Sequence, residues 1–252
     1  MAELSCHAFL GGKVQIWQPV RGYRAGVDPV LLAATRPARA GQRVLELGCG
    51  VGVASLCLAA RVPGIEVTGL EIQPEYADLA RRNAVENAAD FTVITGDLQQ
   101  LPEALKQQQF DHVMANPPYF RREAGTGATD PGRDLALGGD TPLSLWVEVA
   151  AKRCAPRGYV TFIQRVERLP ELMAAMHLHL GSLELLPLIP RPGRPPQLIL
   201  IRGRRGGRAD FKLHPGVLVH PGNAHQDGGE DYTPLMWDVQ RYGAYLPFDN
   251  AE

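Results

Sequence analysis

Apolar residues fall into two rhythms along this chain. Short runs read as strands, and longer stretches with helical spacing lie between them. RVLELGCGVGVASLCLAA opens with a strand, passes through three glycines and continues into an apolar helix. IEVTGLEI predicts a second strand, and PEYADLARRNAVENA a helix with proline in its first turn. FTVITGD and DHVMANPP predict a third and a fourth strand. TPLSLWVEVAAKRCAPRG predicts a helix opened by a threonine cap and stopped near a glycine. GYVTFIQ then predicts a strand, and RLPELMAAMHLHLG a helix ending in glycine. SLELLPLIP and PPQLILIRG are apolar β-type runs joined by RPGR, a hairpin signal.

Strands that alternate with helices and lack polar alternation predict a parallel sheet covered on both faces. The closing hairpin adds antiparallel strands at one edge. The expectation is one doubly wound α/β domain with a Rossmann-like, seven-stranded sheet. Residues 1–40 form an extension with an extended piece and a short helix, VDPVLLAAT; residues 41–205 carry the sheet; residues 206–252 are a glycine- and proline-rich tail expected to pack on the same domain. Within the tail, DYTPLMWD has aromatic and apolar residues suited to docking.

Composition narrows the class. The chain has 252 residues, 45% hydrophobic and 21% charged, as in an ordinary globular domain. No apolar run is long enough to span a bilayer, so no membrane partner is expected. MAELSCHAFLGGK lacks a basic start followed by an apolar core, so no secretory signal is expected. Cys6, Cys49, Cys57 and Cys154 form no CxxC pair and have no metal spacing, which points to a reduced, cytoplasmic setting. The net charge of −1 argues against a protein coated for non-specific nucleic-acid binding. The basic residues nevertheless cluster: Arg202, Arg204, Arg205 and Arg208 crowd IRGRRGGR, and Arg121 and Arg122 follow NPPY.

Ligands in such sheets bind beyond the carboxyl ends of the strands. Gly48, Gly50 and Gly52 stand there after the first strand, where they let backbone approach a ligand. Val53 occupies the position that a dinucleotide fingerprint reserves for glycine, which disfavours a pyrophosphate cradle. Glu71 ends the second strand, where an acid can accept bonds from ribose hydroxyls. Asp97 ends the third, placed to accept from an adenine amino group with Leu98 beside the ring, and Glu46 needs a buried partner such as a ligand ammonium.

The fourth strand stops at NPPY, residues 116–119. An adenine or amide nitrogen is a poor nucleophile because its lone pair is delocalised. A site helps by accepting both N–H bonds and turning the lone pair towards an electrophile. The Asn116 side-chain oxygen is one such acceptor and the Pro117 carbonyl the other. Pro118 holds Pro117 extended and so fixes where that carbonyl points. Tyr119 offers a face for a planar substrate, worth roughly 1–3 kcal/mol in base stacking.

The series ELGCGVG, LEI, GDL and NPPY resembles the class I S-adenosylmethionine-dependent methyltransferases over roughly residues 25–205. That resemblance implies the cofactor's methionine part on Gly48, Gly50 and Gly52, its ribose on Glu71 with Ile72 beside it, and its adenine on Asp97 and Leu98, with Asn116 facing the methyl. NPPY in that class implies amino-group methylation, of adenine N6 or of glutamine. GVDPVLLA ahead of the glycine loop, joined to NPPYF, resembles the bacterial tRNA(Val) adenine-37 N6-methyltransferases. The resemblance implies that the helix covers the cofactor, with Asp28 lining the pocket, and that tRNA is the partner. On that reading Tyr119, Arg121, Arg122, Arg202, Arg204, Arg205 and Arg208 bind substrate, and residues 120–140 form a lid.

A release-factor-type glutamine methyltransferase is the alternative, although some forty residues before the glycine loop leave no room for that family's usual helical module. A non-catalytic S-adenosylmethionine- and RNA-binding protein is a further alternative. Other chemistries lack their residues: there is no GxSxG elbow and no Walker loop. His177 and His179 read as surface or packing residues, and His214, His220 and His225 have no matching cysteines, so no metal is expected. Trp146 reads as core.

Overall fold

A computed structural model describes residues 3–22, 24–35, 37–119, 141–223 and 231–249. The proposed lid with Arg121 and Arg122, and His225, lie outside the described residues.

The strands are β1 (Leu4–Phe9), β2 (Val14–Pro19), β3 (Arg43–Leu47), β4 (Glu66–Glu71), β5 (Phe91–Thr95), β6 (Phe110–Ala115), β7 (Cys154–Arg165), β8 (Gly181–Ile189), β9 (Leu198–Arg204), β10 (Lys212–Leu213) and β11 (Val217–Leu218). The helices are α1 (Asp28–Ala34), α2 (Val53–Arg61), α3 (Pro74–Glu86), α4 (Glu103–Lys106), α5 (Leu143–Arg153), α6 (Leu169–His179) and α7 (Pro234–Tyr242). The main sheet runs in the order β10-β8-β9-β7-β6-β3-β4-β5, with β11 also on β8. Among the described residues it has nine strands rather than seven, because β10 and β11 add two-residue pieces parallel to β8. Pieces that short carry no alternation to read. Within this sheet β9 is the reversed strand, antiparallel to both β7 and β8, as the closing hairpin predicts.

The absence of polar alternation has the expected cause: both faces are covered. Val44, Val67, Met114, Ile163 and Leu200 face one core with α1, α2 and α3, while Leu45, Val113, Val160, Phe162 and Ile201 face another with α5 and α6. Successive strand residues thus enter opposite cores.

Three local readings change. The N-terminal extended piece is an antiparallel hairpin, β1 on β2. Its inner edge is completed by side chains. Asn87 and Asn83 accept from the backbone N–H groups of Gln15 and Trp17 at 2.8 and 2.9 Å, and their amides donate back to the same residues' carbonyls. Four residues apart on α3, they stand in for a neighbouring strand. Second, Thr141 does not cap α5, whose capping residue is Pro142 with no side-chain bond. Third, α5 and α6 do not end on glycine: β7 starts at Cys154 directly after α5, and Leu180 closes α6.

The tail docks against the described chain. Thr233 caps α7 by accepting from Met236 N–H, the Leu246 N–H donates to Ala34 carbonyl at 3.0 Å, and Phe248 is fully buried. Among the described residues no helix is long and apolar enough to cross a membrane.

Candidate active site

Register sets the site. Leu47 pairs with Leu70 and with Ala115, Glu71 with Thr95, and Ala115 with Phe162, so the parallel strands end level. The residues that follow, Gly48, Ile72 and Asn116, come together around one cleft of about 260 Å³. Glu46, Gly50, Glu71, Pro117 and Tyr119 also line it.

The three glycines are there for different reasons. All have positive φ, at +67° for Gly48, +55° for Gly50 and +89° for Gly52. A Cβ on Gly48 would lie 2.7 Å from the Trp146 ring, and one on Gly52 2.7 Å from the Phe91 ring. Those positions exclude side chains because the protein's own aromatics pack there. Only Gly50 opens onto space, with nothing within 4 Å of an added Cβ, and only it keeps a surface clear for a ligand. Gly52 itself is absent from the cleft wall.

Glu71 is 5% exposed and holds the loop in shape: one oxygen accepts from Gly50 N–H at 2.8 Å and the other from Gln73 N–H at 2.9 Å. Burial pushes its carboxyl above the ordinary range, and the backbone N–H groups of Gln73, Gly50 and Ile72 draw it part of the way back. Glu46 is 3% exposed, and its Oε2 accepts from both the backbone N–H and the hydroxyl of Ser55. The partner expected from a ligand is therefore supplied, for that oxygen, by the first turn of α2. Ile72 is an isoleucine left half exposed beside these acids.

Asn116 ends the row. Its Oδ1 is buried, and among the described residues no donor reaches it. A buried acceptor without a donor costs roughly 1–3 kcal/mol, which a ligand N–H would recover. The Tyr119 hydroxyl donates to Asp28 Oδ2, so the entry of α1 is tied to the NPPY turn. Burial raises the Asp28 carboxyl, while the Tyr119 bond and the Arg165 charge lower it.

Several predicted positions fall elsewhere. Asp28 holds Tyr119 and is not part of the cleft wall. Asp97 accepts from Gln99 N–H at 2.8 Å, shaping its own turn, and Leu98 is 7% exposed in the second core. Gln99 and Thr141 line the cleft instead, joined by a 3.4 Å bond. Trp146 is not simply core: it packs on Gly48 and faces the cleft. Tyr76 and Ala25 also belong to the wall. Nothing in a local motif marks these residues, since each arrives from a different segment.

The arginine cluster lies outside the cleft. β9 runs antiparallel, so Arg204 pairs with Tyr159 in the middle of β7, four residues of strand below the level of Asn116. At about 3.3 Å per residue, the two are separated by on the order of 13 Å. Arg202 makes a two-pronged pair with Glu184 at 3.0 and 3.1 Å and lies 4.3 Å over the Phe248 ring. Arg204 donates to the Arg157 carbonyl and Arg205 to those of Lys152 and Cys154. Arg208 is exposed, just before Ala209, whose N–H is tied to Ser182. None of the four lines the cleft: Arg204 and Arg205 lie towards the opposite end of the sheet, Arg202 lies level with Met114 and Glu46 but out on β9, and these three satisfy the protein's own acceptors.

Known proteins carry the same frame. A methyltransferase small-domain family model matches residues 26–129. The tRNA1(Val) (adenine(37)-N6)-methyltransferase of Porphyromonas gingivalis is 32% identical over 214 residues, covering 80% of this chain and 83% of that one. The protein of the same name from Haemophilus influenzae is 27% identical over 89% of this chain and 92% of its own. Among solved structures, one described as a predicted O-methyltransferase from Agrobacterium tumefaciens superposes with a TM-score of 0.71 at 27% identity, covering 87% of this chain and 98% of that chain. A Thermus thermophilus 16S rRNA methyltransferase solved with AdoMet and guanosine shares the fold, with a TM-score of 0.57 at 19% identity over 81% of this chain and 50% of its own. Similarity at that level over most of both chains, on a sheet whose strand ends meet in one cleft, places the chain in the family of the tRNA1(Val) (adenine(37)-N6)-methyltransferases, as an S-adenosylmethionine-dependent N-methyltransferase.

Proposed function

We propose that this protein transfers a methyl group from S-adenosylmethionine to the exocyclic N6 amino group of an adenine in tRNA. The observation that carries the reading is the buried Asn116 Oδ1 without a donor, beside the Pro117 carbonyl on the same cleft. Two acceptors suit a group with two N–H bonds, and a hydroxyl acceptor would leave one of them unmet. The names of the relatives supply the nucleobase and the RNA.

The residues present fit the cofactor. Gly50 leaves open backbone, Glu71 presents a buried carboxylate anchored by two backbone N–H groups, and Ile72 offers an exposed apolar face. Bound there, S-adenosylmethionine supplies a sulfonium-activated methyl group, which is a strong electrophile. The chain's own work is alignment. Asn116 Oδ1 and the Pro117 carbonyl accept hydrogen bonds from the two amino N–H groups, which sets the nitrogen lone pair towards the cofactor side of the cleft. Tyr119, held by Asp28, provides the face on which an extruded base stacks, as enzymes acting on bases require. Gln99 and Thr141 close the adenine side of the cofactor pocket, where Asp97 was expected.

The test is transfer of labelled methyl to bulk tRNA from a strain lacking this protein, with nucleoside analysis of the product and Asn116→Ala alongside. Label in N6-methyladenosine, lost in the variant, is the expected result. Label on a protein glutamine, with none on tRNA, would overturn the substrate.

A further inference from the structure

Every residue of the NPPY turn is held from a different element, except at one atom. Tyr119 is held by Asp28 from α1, and the Pro118 carbonyl accepts from Arg168 Nη1 at 3.5 Å. The Pro117 carbonyl accepts from Gln164 Nε2 at 3.3 Å. What is left over is Asn116 Oδ1.

Gln164 is the most constrained of these holders. It is fully buried at the end of β7, where an amide without partners would be costly. Its orientation follows from its neighbours. The Arg165 N–H approaches at 2.9 Å and, being a donor, must meet the amide oxygen. The amide nitrogen is then directed at Pro117, whose carbonyl needs a donor. A carbonyl oxygen has two lone pairs. Gln164 takes one, and Pro117 lines the cleft, where the second remains for a substrate N–H.

We infer that Gln164 is a positioning residue for methyl transfer, which fixes the direction of the Pro117 carbonyl and thereby matches the turn to an amino group rather than a hydroxyl. This rests on the amino-methylation reading above. Proline rigidity alone does not suffice for the task. Pro118 restricts the conformation of Pro117, but the plane of the peptide that carries the carbonyl can still rock as one body. A donor from the neighbouring strand stops that motion at the oxygen itself. Gln164 touches neither substrate nor cofactor in this arrangement, so its loss acts on the chemical step through Pro117. Misplacement of a reacting group by about 1 Å costs up to about 100-fold in rate.

The full-length wild type is assayed first on tRNA, and a failure there belongs to the substrate reading and not to Gln164. Gln164→Met, of similar length and without a donor, and Gln164→Leu are then compared with it. Three quantities are read: the cofactor Kd, the KM for tRNA, and the single-turnover rate at saturating cofactor. The expected result is a rate lowered about 10- to 100-fold in both variants, with the cofactor Kd and tRNA KM within about twofold of wild type. A wild-type rate in either variant overturns the inference. So does a loss of rate matched by an equal loss of cofactor binding or of folded protein, which would make Gln164 a residue of the core alone.

Discussion

Glu71 and Glu184 belong to one sheet, and their surroundings move them in opposite directions. Glu71 ends β4 at the cleft, where burial raises its carboxyl and only backbone N–H groups answer it. Glu184 lies on β8, outside the cleft, opposite Arg202 of β9. Burial raises it too, but bonds and charge from Arg202, then His214, bring it below its ordinary value. The first acid keeps its charge uncompensated by any cation among these contacts, and Asn116 beside the same cleft keeps an acceptor without a donor. The second is matched on two sides, by the Arg202 guanidinium and the His214 ring, which also pack against the buried Phe248. A folded chain leaves polar capacity unmet where a ligand will meet it, and closes it elsewhere.

Breaking the cleft end should have the largest effect. Asn116→Ala should lower the single-turnover rate about 100- to 1000-fold with the melting temperature unchanged, as followed by methyl transfer and thermal unfolding. The glycines sharpen the same contrast. Gly52→Ala, which drives a Cβ into Phe91 at positive φ, should destabilise the fold by about 2–4 kcal/mol in denaturant titration. Gly50→Ala meets no atom, so it should cost only about 1–2 kcal/mol of stability, for its left-handed backbone, while weakening cofactor binding at least about 10-fold, as measured by calorimetry.

Outside the cleft, on β8 and β9, the signs reverse. Arg202→Ala strands Glu184 and should cost about 1–3 kcal/mol of stability, with the transfer rate and the salt dependence of tRNA binding unchanged. A flattened salt dependence in that variant would return the arginine cluster to the RNA interface. The smallest effect lies in pH. Glu184, held below its ordinary value, contributes stability above the ordinary carboxylate range and loses it as pH falls. Glu71, held above its ordinary value, favours the fold at low pH and loses that contribution as pH rises through its raised value. The stability difference between wild type and Glu184→Gln should therefore shrink on acidification, and wild type should lose stability relative to Glu71→Gln as pH rises.

The residues legible in the sequence are those whose role is set by their own strand end. Glu46, Gly48, Gly50, Glu71, Ile72, Asn116, Pro117 and Tyr119 each follow from a motif at a predicted turn, and the parallel register brings them together. Trp146, Gln99, Thr141 and Gln164 were not legible, because their part depends on how α5, the loop after β5 and β7 approach that row. The surroundings of the arginines were hidden for the converse reason. A run of charge reads as surface, and only the antiparallel turn of β9 reveals that it ends beside Glu184 and the carbonyls of α5 and β7. The N-terminal hairpin was hidden because its second edge is paired by asparagine side chains, which look like ordinary helix surface in the sequence.

The central claim is that chemistry depends on the acceptors at the end of β6 and stability on the charge network below. Single-turnover methyl transfer to tRNA at saturating S-adenosylmethionine, with Asn116→Ala and Arg202→Ala measured side by side, tests it most directly. The account predicts a rate reduced about 100- to 1000-fold for Asn116→Ala and a wild-type rate for Arg202→Ala. Equal rates in the two variants would contradict it.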